Sequence, residues 1–232
     1  MQKILPPARL LLLTGSTEAA VLAPHLSQHN PECAIAPAET LAALERALDR
    51  GDPARTRLVA FCTAVIVPAR ILDRLGGGAY NFHPGPPTYP GRYPACWGSY
   101  EGATRFGATL HEMRARVDEG PIVAVEWFDV TPPIGHDALS ERALRATVDL
   151  FRRYAPRLVA EAALPTDARL AWSGRKWRLS DYEAMCRLPP DIDAAEFARR
   201  RRAFAEMPDA RLTIELHGTC FTWQALAESD RC

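Results

Sequence analysis

"AYNFHPGPPTYPGRYP", residues 79–94, runs from the end of a strand into a segment that can be neither strand nor helix. Ala79, Tyr80, Asn81, Phe82 and His83 alternate as a strand does, and successive strand side chains face opposite ways. Asn81 and His83 therefore share a face. Pro84, Pro86, Pro87, Pro90 and Pro94 then withhold backbone donors and fix φ, which forbids a continued ladder and a helix alike. An amide and an imidazole are left side by side at a strand end, against a stiff loop.

Upstream, strand and helix alternate. "ARLLLLTG" predicts a buried strand ending in a glycine turn, and "STEAAVLAPHLSQ" a helix capped by Ser16 or Thr17. "ECAIA" is a short strand, and "AETLAALERALDR" a helix with Leu41, Leu44 and Leu48 on one face. "RLVAFCTAVIV" is a further buried strand, and "PARILDRL" opens a helix with Pro68 at its first position. This order predicts an α/β fold with a largely parallel central sheet and right-handed crossovers. In such sheets ligands bind outside the carboxyl ends of the strands, where Asn81 and His83 and the loop "TAVIVP" all lie.

Downstream, "YPACWGSYEG" predicts a short helix, and "FGATLHEM" and "GPIVAVEWFDV" two strands joined by "RARVDEG". The longest helix follows at 136–164, with Leu139, Leu144, Val148, Phe151 and Leu158 on one stripe and Pro156 expected to kink or shorten it. A main domain over 1–164 and a small α+β appendage over 165–232 are expected, the latter ending in a hairpin that turns at His217-Gly218.

Lys plus Arg equals Asp plus Glu at 28 each in 232 residues, so no global charge points to nucleic acid, and no stretch approaches the roughly 18 apolar residues of a membrane span. Six cysteines without metal-ligand spacing predict reduced thiols in a cytoplasmic protein. His25, His29, His136 and His217 show no ligand spacing, and no metal is expected.

"NFHP" followed by "FGATLHEMRARVDEGPI" resembles the signature of the formyltransferases that use 10-formyltetrahydrofolate: Asn-x-His-Pro, a Pro-Gly loop, Gly-x-Thr-x-His and an Asp-x-Gly-x-Ile turn. Asn81, His83, Pro84, Gly91, Gly107, Thr109, His111, Asp118, Gly120 and Ile122 fill those places. The resemblance covers roughly residues 55 to 160 and implies a Rossmann-like formyltransferase fold. It implies catalytic roles for Asn81, His83 and Asp118. Chemistry agrees: formyl transfer to an amine passes through a tetrahedral oxyanion, which an amide N–H holds while an imidazole moves the proton. Asp118 would orient His83 and favour its cation. His111, on a strand, is assigned to structure.

The resemblance also implies that the folate lies against Val65, Ile66 and Val67 and against the turn Arg116, Val117, Asp118. The acceptor, a small-molecule amine such as an amino sugar, is expected at Arg92, Tyr93 and Trp97. The four arginines at 199–202 are expected to form a solvated helix surface, and nucleic acid and membrane partners are disfavoured. A homodimer is compatible with this reading. Two other functions use the same residues: hydrolysis of 10-formyltetrahydrofolate, and folate binding without catalysis.

Overall fold

Leu10 to Leu13 are fully buried, and their strand, β1 (Arg9–Leu13), is the one on which the sheet of this computed structural model is laid. The structure describes residues 5–173, 175–205, 207 and 211–224. β1 pairs in parallel with β2 (Ala34–Ala38) on one side and β3 (Thr56–Phe61) on the other. β3 pairs in parallel with β4 (Ala79–His83). Two antiparallel strands, β5 (Arg105–Glu112) and β6 (Ile122–Asp129), continue the sheet beyond β4. The order β2-β1-β3-β4-β5-β6 is the expected α/β, largely parallel sheet, with β4 fourth of six.

The period of two on β1 divides the core. Leu10 and Leu12 pack against α1 (Ser16–His29) and α5 (His136–Ala160), through Leu22, Leu26, Leu150 and Phe151. Leu11 and Leu13 face the other way, onto Leu44 and Leu48 of α2 (Leu41–Asp49) and Ile71 of the short α3 (Ala69–Leu72). Among the described residues no helix is long and apolar enough to cross a membrane.

Several local expectations change. Gly15, not Ser16 or Thr17, stands at the N-cap of α1, with no side-chain cap bond. The apolar run at 57–67 is not one strand: β3 stops at Phe61, Cys62 takes a positive φ of 47°, and the chain leaves the sheet as a loop. Pro68 caps α3 rather than opening it. α5 runs through Pro156 to Ala160, and its buried stripe is Leu139, Ala143, Leu150, Phe151 and Leu158, with Leu144 exposed.

Beyond Leu164 the chain forms α6 (Leu179–Cys186), β7 (Arg187–Leu188), α7 (Ala194–Phe204) and the hairpin of β8 (Thr213–Leu216) and β9 (Thr219–Thr222). His217 and Gly218 both take positive φ at the hairpin turn, as a type I′ turn requires. Tyr182, Cys186 and Phe204 share one apolar cluster with Phe106, Leu139 and Trp97, the last from α4 (Pro94–Glu101). Cys33, Cys62, Cys186 and Cys220 form no disulfide, and Cys232 lies outside the described residues.

Arg57 is the largest charged side chain in the interior, fully buried on β3. It donates to three carbonyls: Nε to Gly77 at 2.7 Å, Nη1 to Leu158 at 2.5 Å and Nη2 to Ala162 at 2.8 Å. Leu158 and Ala162 bracket the C-terminus of α5, where the helix dipole favours a cation. The side chain thus ties the last turn of α5 to the turn that leads into β4. Arg57→Ala leaves these carbonyls without a donor and should cost about 3 kcal/mol. Urea unfolding should show a lower midpoint at unchanged slope; an unchanged midpoint would contradict this account.

Candidate active site

Antiparallel pairing decides who meets whom. Asn81 on β4 stands opposite His111 on β5, and His83 opposite Thr109. Residues directly opposite on paired strands share a face. One polar face therefore carries Asn81, His83, Thr109 and His111. Thr109 donates its hydroxyl to Gly85 O at 2.7 Å, which fixes the loop just after His83.

Asp118 reaches this face from the turn between β5 and β6, with a positive φ of 50° and only 4% exposure. Its Oδ2 accepts the Gly91 N–H at 2.8 Å and stands 3.7 Å from His83 Nδ1. Its Oδ1 lies 3.3 Å from His111 Nε2. Gly91 has to be glycine: its φ is +96° and a Cβ would stand 2.1 Å from Trp177 O. Gly120 closes the Asp118 turn under a steric constraint alone, a Cβ falling 1.9 Å from Glu112 O.

The hydrogen bonds assign the ring nitrogens. His111 Nδ1 lies 2.7 Å from Glu112 O and donates to it, and Nε2 stands between the Asn81 amide at 3.1 Å and Asp118 Oδ1 at 3.3 Å. His83 Nε2 lies 3.2 Å from Tyr89 O and donates to it. That leaves Nδ1, the nitrogen beside Asp118, as the basic one.

Burial pushes the His83 imidazole below its usual pKa, and His111 adds to this, while Asp118 and the bond to Tyr89 O oppose it. The expectation that Asp118 would favour the cation gives only the direction of one contribution: burial outweighs it. For Asp118 burial works against the carboxylate, but His83, His111 and the Gly91 N–H hold it well below the ordinary range. A neutral base thus stands beside a fixed negative charge.

The formyl transferase family model matches residues 25–153. The chain belongs to the formyl transferase family. The methionyl-tRNA formyltransferase of Synechococcus sp. (strain RCC307) is 30% identical over 165 residues, 71% of this chain and 46% of that protein. The chain therefore spans about half the length of this curated relative. A sugar N-formyltransferase from a Shewanella species superposes with a TM-score of 0.74 at 16% identity, covering 95% of this chain and 98% of its own. The formyltransferase PseJ from Anoxybacillus kamchatkensis, solved with UDP-4,6-dideoxy-4-formamido-L-AltNAc and tetrahydrofolate, gives 0.59 at 22% identity over 76% of this chain and 88% of its own. The likeness to both solved structures is one of fold.

In the structure of this family member Asp118 lies beside both His83 and His111, and His111 beside Asn81. His111, expected to be structural, meets Asn81 because Thr109 and His111 alternate on β5 as Asn81 and His83 do on β4 and the register sets them opposite one another. Of the apolar loop, Val67 is buried, Val65 is half-buried and Ile66 is 63% exposed. Val117 is 43% exposed, and the Arg116 side chain is exposed with its guanidinium near Glu119.

The acceptor residues divide. Arg92 and Tyr93 are half-buried, with the Arg92 guanidinium over the Tyr93 ring at 5.8 Å. Trp97 does not line a pocket. It is 1% exposed, stacks on Trp177 at 3.7 Å and donates its indole N–H to Arg92 O, so its large apolar face has gone into the core. Among the described residues no group of acidic, His and Cys side chains is placed to hold a metal.

The electrostatics give a pH prediction. The folded His83 ring takes its proton less readily than the unfolded chain, whose ring titrates near the ordinary 6.5. This group therefore withdraws stability as the pH falls below 6.5 towards its folded pKa. Asp118→Asn removes a charge that opposes the shift and should move the His83 midpoint further down, followed by NMR of the ring carbons. A midpoint that stays or rises would contradict the pairing of His83 with Asp118.

Proposed function

We propose that this chain transfers a formyl group from a 10-formyltetrahydrofolate-type donor to the amine of a small molecule, using Asn81, His83 and Asp118. The observation that carries this reading is the convergence of an amide, an imidazole and a buried carboxylate at one strand end: Asn81 and His83 share a face of β4, and Asp118 Oδ2 stands 3.7 Å from His83 Nδ1.

The chain's own groups then divide the reaction. As the amine nitrogen bonds to the formyl carbon, the carbonyl oxygen becomes an oxyanion, and an amide N–H of Asn81 donates to it. His83 Nδ1 accepts the proton that the amine sheds. Asp118, ionised and 3.7 Å away, stabilises the imidazolium formed. The same proton returns from His83 to the folate nitrogen as the old C–N bond breaks, so charge and atoms balance. Ile66 and Val117 offer exposed apolar side chains on the two loops assigned to the folate.

Two observations favour a small acceptor over a nucleic acid. The net charge is zero. Of the four successive arginines, Arg199 and Arg200 are both held by Glu196, which removes them from service to a phosphate backbone. Arg92 and Tyr93 are the residues proposed to meet the acceptor.

The test is a screen of amine metabolites with 10-formyltetrahydrofolate, following tetrahydrofolate release. Asn81→Ala should lower turnover about 100- to 1,000-fold and His83→Ala about 100- to 10,000-fold, with losses far from multiplicative in the double variant. A fully active His83→Ala protein would place the site elsewhere. Formate release that needs no acceptor would make the protein a hydrolase. Folate binding that survives Asn81→Ala, with no turnover by any amine, would make it a binding module. Ile66→Asp should weaken folate binding in calorimetry, because its charge would enter an apolar slot; unchanged affinity in a folded variant would remove this loop from the site.

A further inference from the structure

Residues 167–173 and 175–177 contact both loops of the site, although they follow the longest helix and lie beyond the expected domain boundary. The Ser173 N–H donates to Pro87 O at 3.0 Å, the Trp177 N–H to Pro90 O at 2.9 Å and the Arg92 N–H to Trp177 O at 2.9 Å. These bonds run along the proline loop. On the other side, Lys176 Nζ bonds Glu119 Oε1 at 2.8 Å, and the Asp167 N–H donates to Ile122 O at 2.8 Å. The segment is strapped to the loop that follows His83 and to the turn that carries Asp118.

Trp172 sits at the crossing. Its ring lies 5.9 Å from His83 at an interplanar angle of 73°, and 4.9 Å from His111 at 87°. Its indole N–H donates to Gly120 O at 2.8 Å, two residues beyond Asp118. It is half-buried and belongs to none of the three apolar clusters, so core packing does not account for its place. The objects it touches are two imidazoles and the turn of the carboxylate.

We propose that Trp172 is a positioning residue: its ring, packed at steep angles to both imidazoles, holds the planes of His83 and His111, and its N–H pins the Asp118 turn through Gly120 O. The inference rests on the formyl-transfer reading for its kinetic consequence alone. Asp118 adopts a backbone conformation that costs a non-glycine residue about 1 kcal/mol or more, and its neighbours Arg116 and Val117 are exposed. A turn so placed needs an external tie. Displacement of a catalytic group by about 1 Å can cost on the order of 100-fold in rate.

Trp172→Ala and Trp172→Phe in the full chain test this. In Trp172→Ala the ring-proton signals of His83 and His111 should both shift and broaden. The Gly91 amide, bonded to Asp118, should exchange with solvent about tenfold faster or more. Turnover should fall about 10- to 100-fold with the donor KM little changed, because orientation rather than binding is lost. Trp172→Phe keeps a ring without the N–H, and should restore the imidazole signals but not the Gly91 protection. A folded Trp172→Ala protein with wild-type imidazole signals and Gly91 exchange would overturn the proposal. So would wild-type turnover in that variant beside an active parent. If the parent itself transfers no formyl group, the proposed function fails, and the NMR arms still decide whether Trp172 sets the rings.

Discussion

The bond from the Gly91 N–H to Asp118 Oδ2, at 2.8 Å, fastens together two loops that leave the sheet separately. One follows β4, the other joins β5 to β6. Each presents functional groups only if the other is in place: Asp118 without Gly91 loses the donor that helps keep it ionised, and the proline loop without Asp118 loses its anchor beside His83. The bond demands a positive φ at Asp118, which a side chain resists, and another at Gly91, which glycine adopts freely. Strain of this kind persists only where surrounding structure over-determines it. Here the surroundings are the Trp177 carbonyl against Gly91 and the Glu112 carbonyl against Gly120.

The sheet supplies the opposite property, which is rigidity without local strain. β4 is flanked on both sides by fully paired strands, and Phe82 between Asn81 and His83 points into a packed trio with Phe61 and Phe151, ring centroids 5.3 to 5.9 Å apart. Arg57 locks the same layer from the far end of the strand through the C-terminus of α5. Asn81 and His83 are thus carried on a strand paired on both sides and packed against aromatic rings.

Much of this was legible in the residues. The alternation of apolar runs with helical periods specified the parallel half of the sheet, and the alternation Asn81-Phe82-His83 put the amide and imidazole on one face. Three things were not legible, each for a physical reason. The end of β3 depends on Cys62 taking a left-handed backbone, which apolar composition at 57–67 conceals. Trp97 resembles a binding-site aromatic until Trp177, eighty residues later, covers its face. His111 gains its contact with Asn81 only from a strand register, and register is a relation between two segments rather than a property of either.

The balance around His83 follows from competition between two long-range effects. Burial removes the water that would stabilise an imidazolium, and nearby Asp118 restores part of that stabilisation. Burial alone would lower the imidazole's pKa further, and Asp118 alone would raise it. With both, the ring rests neutral and meets its counter-charge only after protonation.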